Sequence, residues 1–267
     1  MDFLLASGIT GISPGGSTGE GAALTDDELG QLVGLIKAKG DPRPIVAGVI
    51  RTSTKLAVQT ALVARNAGAD ALMVTPTFYN VLIPDDEGNL RFYSAVAEVG
   101  LPVVIYNVVP QNVIAPALAD RLIDVPNLLG VKQSVGGIQA MVEMRNTIEG
   151  RGLTFAATDE LLPTCYLLGA EGAISAIVGL FPNISARLWH LVREGELTEA
   201  LAIQKAMYPL WEIIRGGQFP ARMKVAAQAT GRDVGMSRSP LVDGDPVLQK
   251  AIVEAVATIE SQIGALS

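Results

Sequence analysis

Cysteine and histidine are nearly absent from the chain: Cys165 and His190 are the only ones among 267 residues. One cysteine excludes an intramolecular disulfide, and one of each leaves no material for a Cys/His zinc cluster. A serine triad would have to be built on His190. That residue lies in the helical-looking segment "ARLWHLVREG", where a packed or surface histidine is the plainer reading. Cys165, in "LLPTCYLLG", reads as a small buried apolar residue. Basic blocks are missing too. With 27 acidic against 20 basic residues the net charge is −7, and no Lys/Arg run could follow a phosphate backbone, so nucleic acid is not expected as a partner. Long hydrophobic runs are also lacking. The longest uncharged stretch, Val99 to Ala119, is broken by Pro102, Pro110 and Pro116, and "MDFLLASG" is too short and too acidic for a signal peptide. The expectation is a soluble cytoplasmic protein that neither spans nor binds a membrane.

What the chain does have is 49% hydrophobic residues, enough for a large core, and a length near the roughly 250 residues of a single (β/α)8 barrel. Short apolar runs rich in Val and Ile start at Ile9, Pro44, Ala71, Pro102, Leu128, Thr154 and Ala173. Each is apolar on both faces and is followed by a helix-length segment, as parallel strands covered by crossover helices require. Thr25 and Glu28 form a capping box at one helix start. Beyond Gly179 the pattern is helical only, over Ile184 to Arg215, Pro220 to Thr230 and Pro246 to Leu266. The prediction is an α/β chain with a barrel over 1–180. The last barrel helix and a C-terminal helical region follow over 181–267, without a linker, so that the whole is one structural unit. A doubly wound open sheet is the competing architecture, since seven strands do not close a ring of eight.

Within "LLGVKQS", alternation puts Gly130, Lys132 and Ser134 on one face of a strand, and in a barrel that face can be the centre. Removal from water favours the neutral, nucleophilic form of an amine. A buried ion pair or a snorkelling stem is the bland alternative. "VVIYNVVP" places Tyr106 near the end of the preceding strand, where a phenol can donate and accept protons beside the amine. "SPGGSTGEG" is a glycine-rich turn whose N–H groups, with Ser17 and Thr18, can surround an anion; it fits neither the Walker nor the dinucleotide pattern. In "TFAATDELLP", Asp159 and Glu160 sit at a strand end where either can meet a polar substrate, while Asp159 is also suited to cap the next helix.

The motifs "GGSTGE", "TPTFYN", "YNV" and "GVKQS", in this order, with "PARMKVAAQATG" near the end, resemble the class I aldolases related to dihydrodipicolinate synthase and N-acetylneuraminate lyase. The likeness covers essentially the whole chain. It implies a TIM barrel with a C-terminal helical extension, apparently without the family's first strand and helix. It also implies a Schiff-base lyase acting on pyruvate or a related 2-oxo acid, with no metal or other cofactor. Lys132 matches the imine-forming lysine, Tyr106 the proton-relaying tyrosine, and Ser17 and Thr18, with Gly16 beside them, the pair that holds the substrate carboxylate. Tyr79 matches a tyrosine that enters a neighbouring subunit's site, which implies a homo-oligomer, a dimer or a tetramer. Gln111 stands where the synthases carry an arginine for the second substrate's carboxylate, and "KQS" and "TDE" look more like the lyase branch. The leading expectation is therefore a 2-oxo-acid aldolase or lyase. Dihydrodipicolinate synthase, a 2-keto-3-deoxy sugar acid dehydratase or aldolase, and an inactive binding barrel are the alternatives.

Overall fold

The computed structural model describes residues 1–242 and 244–264. A short helix α1 (Asp2–Leu5) is followed by the glycine-rich turn and α2 (Asp26–Lys37), after which strands and helices alternate. These are β1 (Val46–Val49), α3 (Thr54–Asn66), β2 (Ala71–Val74), α4 (Asp86–Ala97), β3 (Val103–Asn107), α5 (Pro116–Leu122), β4 (Leu128–Gln133), α6 (Gly137–Ile148), β5 (Leu153–Ala156), α7 (Leu162–Leu167) and β6 (Gly172–Ala173). The chain then continues through α8 (Ala176–Leu180), α9 (Pro182–Glu194), α10 (Leu197–Ile214), α11 (Phe219–Ala229) and α12 (Pro246–Gly264). The end expected for the last helix, Leu266, lies outside the described residues. Among those described, no helix is long and apolar enough to cross a membrane.

All six strands pair in parallel, in the order β1-β2-β3-β4-β5-β6. That order has no reversal, whereas a doubly wound sheet is defined by one, so the competing architecture is excluded. Helices α2 to α6 pack each on the next in the same sequence, which keeps them on one side and curls the sheet away from them. Register shows which side chains face which way. Val49, Val74, Ile105 and Val131 form a row that packs under the helices with Leu29, Val33, Ala57 and Ala61. On the opposite, concave face Tyr106 stands beside Lys132, and Lys132 beside Phe155. A second cluster of buried apolar residues joins α7 to α12, built on Leu162, Leu188, Ile203, Leu210 and Ile252.

Two of the expected strands shrink. The run from Ile9 supplies a single parallel bridge, Ile12 to Ile45, flanked by a bond from the Gly48 N–H to the Pro14 carbonyl. The segment before it is gathered by Arg43, whose guanidinium donates to the carbonyls of Leu4, Leu5, Ser7 and Ile9 and so leaves those groups unavailable to a ladder. The run from Ala173 gives only the end of β6 before Ser175 caps α8 by accepting the Val178 N–H. The long helical stretch from Ile184 is broken after Glu194, because Gly195 turns left-handed at φ 84°. The capping box at Thr25 and Glu28 is formed in both directions.

Candidate active site

Three strand ends and one turn build the site. Lys132, at the penultimate position of β4, is 6% exposed, and its Nζ lies 3.5 Å from the centroid of the Tyr106 ring. The contact follows from register, because Tyr106 and Lys132 are direct partners across β3 and β4. That register depends on a bulge: Val103 pairs with Leu128 and Val104 with Gly130, so Leu129 is extra and turns outward. Gly130 itself has no room for a side chain, since a Cβ there would lie 2.1 Å from the Leu153 carbonyl oxygen. The Tyr106 hydroxyl, at the far end of the ring, is 3.3 Å from Ser17 Oγ.

Ser17 arrives from the glycine-rich turn. Gly15 takes φ 72°, and Gly16 is buried with its Cα close to Met73, where an added Cβ would meet Cε at 3.2 Å. The turn closes through bonds from the Glu20 N–H to the Ser17 carbonyl and from the Gly21 N–H to the Gly16 carbonyl. Thr18 is half-buried beside it. Lys132, Tyr106 and Ser17, residues far apart in the sequence, are thus brought together as expected.

The other predicted residues divide. Ser134 follows the end of β4; its N–H bonds the Asn107 carbonyl, and its Oγ is buried with no protein partner. Gln111 is exposed on the loop after β3, and Tyr79, 56% exposed, precedes a 3-10 turn at Asn80–Leu82. Among the described residues neither bonds Lys132, but both loops are held by one buried network. Asn112 donates to the Thr77 carbonyl at 3.1 Å, and Asn89 donates to Asn112 at 2.8 Å. Asn107 similarly braces the loop after β3, bonding the Ile114 carbonyl and N–H and the Gln133 side chain. None of these amides was singled out from the sequence, where a buried Asn looks like any loop Asn.

Asp159 corrects an expectation. It does not cap the helix that follows it: the N-cap position of α7 is Leu161, with no side-chain bond. Instead its Oδ1 accepts the N–H of Ile177, at 2.8 Å, and so caps α8 from across the fold. The reason is that a 3-10 turn, Asp159–Leu161, intervenes before α7 and carries the carboxylate inward, to 4% exposure. Burial pushes this carboxyl up to about 6, while the Ile177 N–H, the Ser175 hydroxyl and the Lys132 charge draw it down. Glu160 stays half-buried. Cys165 is buried and uncharged, burial raising its thiol to about 11, and His190 is exposed on α9 against Trp189.

The fold is a curled parallel sheet with a buried lysine near a strand end, a tyrosine ring against it and a hydroxyl turn beside the ring, and comparison with known proteins gives its class. The model of the dihydrodipicolinate synthetase family matches residues 1–259. A 4-hydroxy-tetrahydrodipicolinate synthase of Thermomicrobium roseum is 29% identical over 97% of this chain and 86% of its own length. One from Methylobacterium radiotolerans is 31% identical over 89% of this chain and 80% of its own. The solved 4-hydroxy-tetrahydrodipicolinate synthase of Methylacidiphilum fumariolicum superposes with a TM-score of 0.92 at 26% identity, covering 99% of this chain and 89% of that one. A solved dihydrodipicolinate synthase of Acinetobacter baumannii, complexed with pyruvate, has a TM-score of 0.89 at 25% identity, covering 97% and 89%. The chain belongs to the dihydrodipicolinate synthetase family. It is a lyase of that family.

Proposed function

We propose that the chain is a Schiff-base aldolase acting on pyruvate or a related 2-oxo acid, with Lys132 as the nucleophile. The observation that carries this reading is the line from Lys132 Nζ over the Tyr106 ring to the Tyr106 hydroxyl and Ser17 Oγ. Pyruvate in the Acinetobacter relative supports the substrate class. The amine nitrogen attacks the keto carbon to give a carbinolamine, loss of water gives an iminium, and that cation takes up the electron pair of the adjacent bond to form an enamine. Each step moves a proton beside the imine, which the Tyr106 hydroxyl supplies or accepts, with Ser17 as its partner. The N–H groups and hydroxyls of Gly16 to Thr18 hold the substrate carboxylate and so orient the carbonyl. Ser134 Oγ, Glu160 and Gln111 are further polar groups available to the rest of the substrate.

The sequential sheet and its helices support a (β/α)8 barrel whose strand ends carry this chemistry. Phe78, Tyr79, Val81, Leu82 and Val113 make the two loops joined by Asn112 an exposed apolar surface. It supports a second copy docking there, with Tyr79 serving the neighbour. A second reading, condensation of pyruvate with aspartate semialdehyde, is favoured by the names of the curated relatives.

Borohydride trapping tests the mechanism. Pyruvate plus borohydride is expected to add a reduced pyruvyl group to Lys132, seen by peptide mass spectrometry, and Lys132→Ala to abolish it. Tyr106→Phe should keep the fold and slow turnover by roughly 10²- to 10⁴-fold. An adduct that survives Lys132→Ala, or none with any 2-oxo acid, rejects the reading.

A further inference from the structure

The turn that presents Ser17 ends on a residue under strain. Glu20 has φ 56° and ψ 32°, a left-handed conformation that a side chain other than glycine adopts only when its surroundings impose it. Its carboxylate is nearly enclosed, with 8% side-chain exposure, and both oxygens are engaged by the C-terminal part of the chain. Lys224 of α11 approaches Oε2 at 2.9 Å, and the Arg238 N–H donates to Oε1 at 2.7 Å. Lys224 also donates to the Met236 carbonyl, and Arg238 pairs through its side chain with Glu28 of α2. The segment after α11 is thereby held to the turn through Met236 and Arg238.

We propose that Glu20 is a positioning residue: held by Lys224 and the Arg238 N–H, it fixes the turn from Gly16 to Gly21, so that the C-terminal helical region sets this site's affinity for the substrate carboxylate. The inference rests on the Schiff-base reading above. The bond from the Glu20 N–H to the Ser17 carbonyl makes the backbone angle at Glu20 and the direction of Ser17 one geometrical unit. If the left-handed angle relaxes, that bond and the one at Gly21 are the first to change. The rest of the region has its own support: Arg51 donates to the Gly21 and Leu24 carbonyls and pairs with Asp26, and the capping box holds the start of α2. Loosening Glu20 therefore leaves a folded protein with a less ordered turn.

Glu20→Gln preserves the shape and an acceptor for Arg238 but removes the charge that faces Lys224, while Lys224→Met removes the opposite charge and Lys224→Arg keeps it. Steady-state kinetics with pyruvate, borohydride trapping, and hydrogen exchange at the amides of Glu20 and Gly21 are measured on all three and on the double variant. The expected result is a KM for pyruvate raised roughly tenfold in Glu20→Gln and Lys224→Met, the scale of one charge-assisted hydrogen bond. The change in kcat should be much smaller, since the carboxylate is held alike in ground and transition states. The double variant should be no worse than either single one, Lys224→Arg should recover most of the affinity, and both amides should exchange faster wherever KM rises. An unchanged KM with unchanged exchange in well-folded single variants overturns the proposal alone, and so do additive effects of the two substitutions. Failure of the unmodified chain to trap any 2-oxo acid overturns the Schiff-base reading first, and this proposal with it.

Discussion

Lys132, Tyr106 and Ser17 were legible as candidates because each lies where local pattern speaks: a polar residue inside an apolar strand, or a hydroxyl in a glycine-rich turn. Tyr106 and Lys132 meet through parallel pairing of β3 and β4 in the register that the bulge at Leu129 sets, and Ser17 joins them from the turn. Asp159 was read for the wrong helix, because a carboxylate before a helical run looks like its cap whether or not a 3-10 turn intervenes. Its burial has a measurable sign. The carboxyl binds its proton more tightly in the folded chain, about 6, than at its ordinary value of 3.8, so the folded state carries the extra proton between those limits. Stability contributed by this group is thus full below pH 3.8 and falls as pH rises to about 6, by about 3 kcal/mol in total. Asp159→Asn keeps an acceptor for the Ile177 N–H and cannot titrate. Urea unfolding of both proteins at pH 4 and pH 7.5 should show the unmodified chain losing ground to the variant at the higher pH. A constant difference would mean that water or another donor satisfies the ionised carboxylate.

Strands β1 to β5 were found in the sequence because a parallel strand buried on both faces is apolar throughout and stands out between amphipathic helices. The same signal misled at Ala173–Gly179, since a short apolar run suits a buried helix equally well, and only Ser175 marked the helix start. The bulge at Leu129 was invisible too, because one inserted residue leaves composition unchanged while resetting which face each later residue occupies. Gly130 is where this local geometry is most demanding. Gly130→Ala places a Cβ against the Leu153 carbonyl, and β4 can admit it only by separating from β5. The expected cost is about 1 to 3 kcal/mol or more, read as a lower midpoint in thermal or chemical unfolding. Because Lys132 lies two residues further along the same strand, the borohydride adduct should also form more slowly in that variant. A melt identical to that of the unmodified protein would show that the strand pair yields without loss.

At the scale of the molecule, the pattern after Gly179 reads as three helical segments where the described residues form four helices, α9 to α12, and their task is not legible at all, because contacts between residues some two hundred positions apart leave no periodic trace. Choice of a second substrate is, on the reading proposed above, likewise a matter of loops brought together by the fold. On the synthase reading, Gln111, exposed on the loop after β3 and neutral, offers a carboxylate only ordinary hydrogen bonds, whereas an arginine makes two charge-assisted ones. Synthase efficiency with pyruvate and aspartate semialdehyde should therefore be lower by about tenfold or more than Gln111→Arg achieves, in a coupled assay on both proteins. Full synthase activity without the substitution would assign the carboxylate to another group. The bond from the Arg238 N–H to Glu20 spans 218 positions of sequence and has a consequence in time. On a ribosome adding 5 to 20 residues per second, Glu20 is made roughly 10 to 40 s before the amide that holds it. For about the second half of that interval the nascent chain already carries Tyr106 and Lys132 while Glu20 still lacks its Arg238 partner. Until Arg238 is made, the turn lacks the contact that, on the proposal above, orders it for the substrate carboxylate, so a chain still short of that residue should bind substrate more weakly.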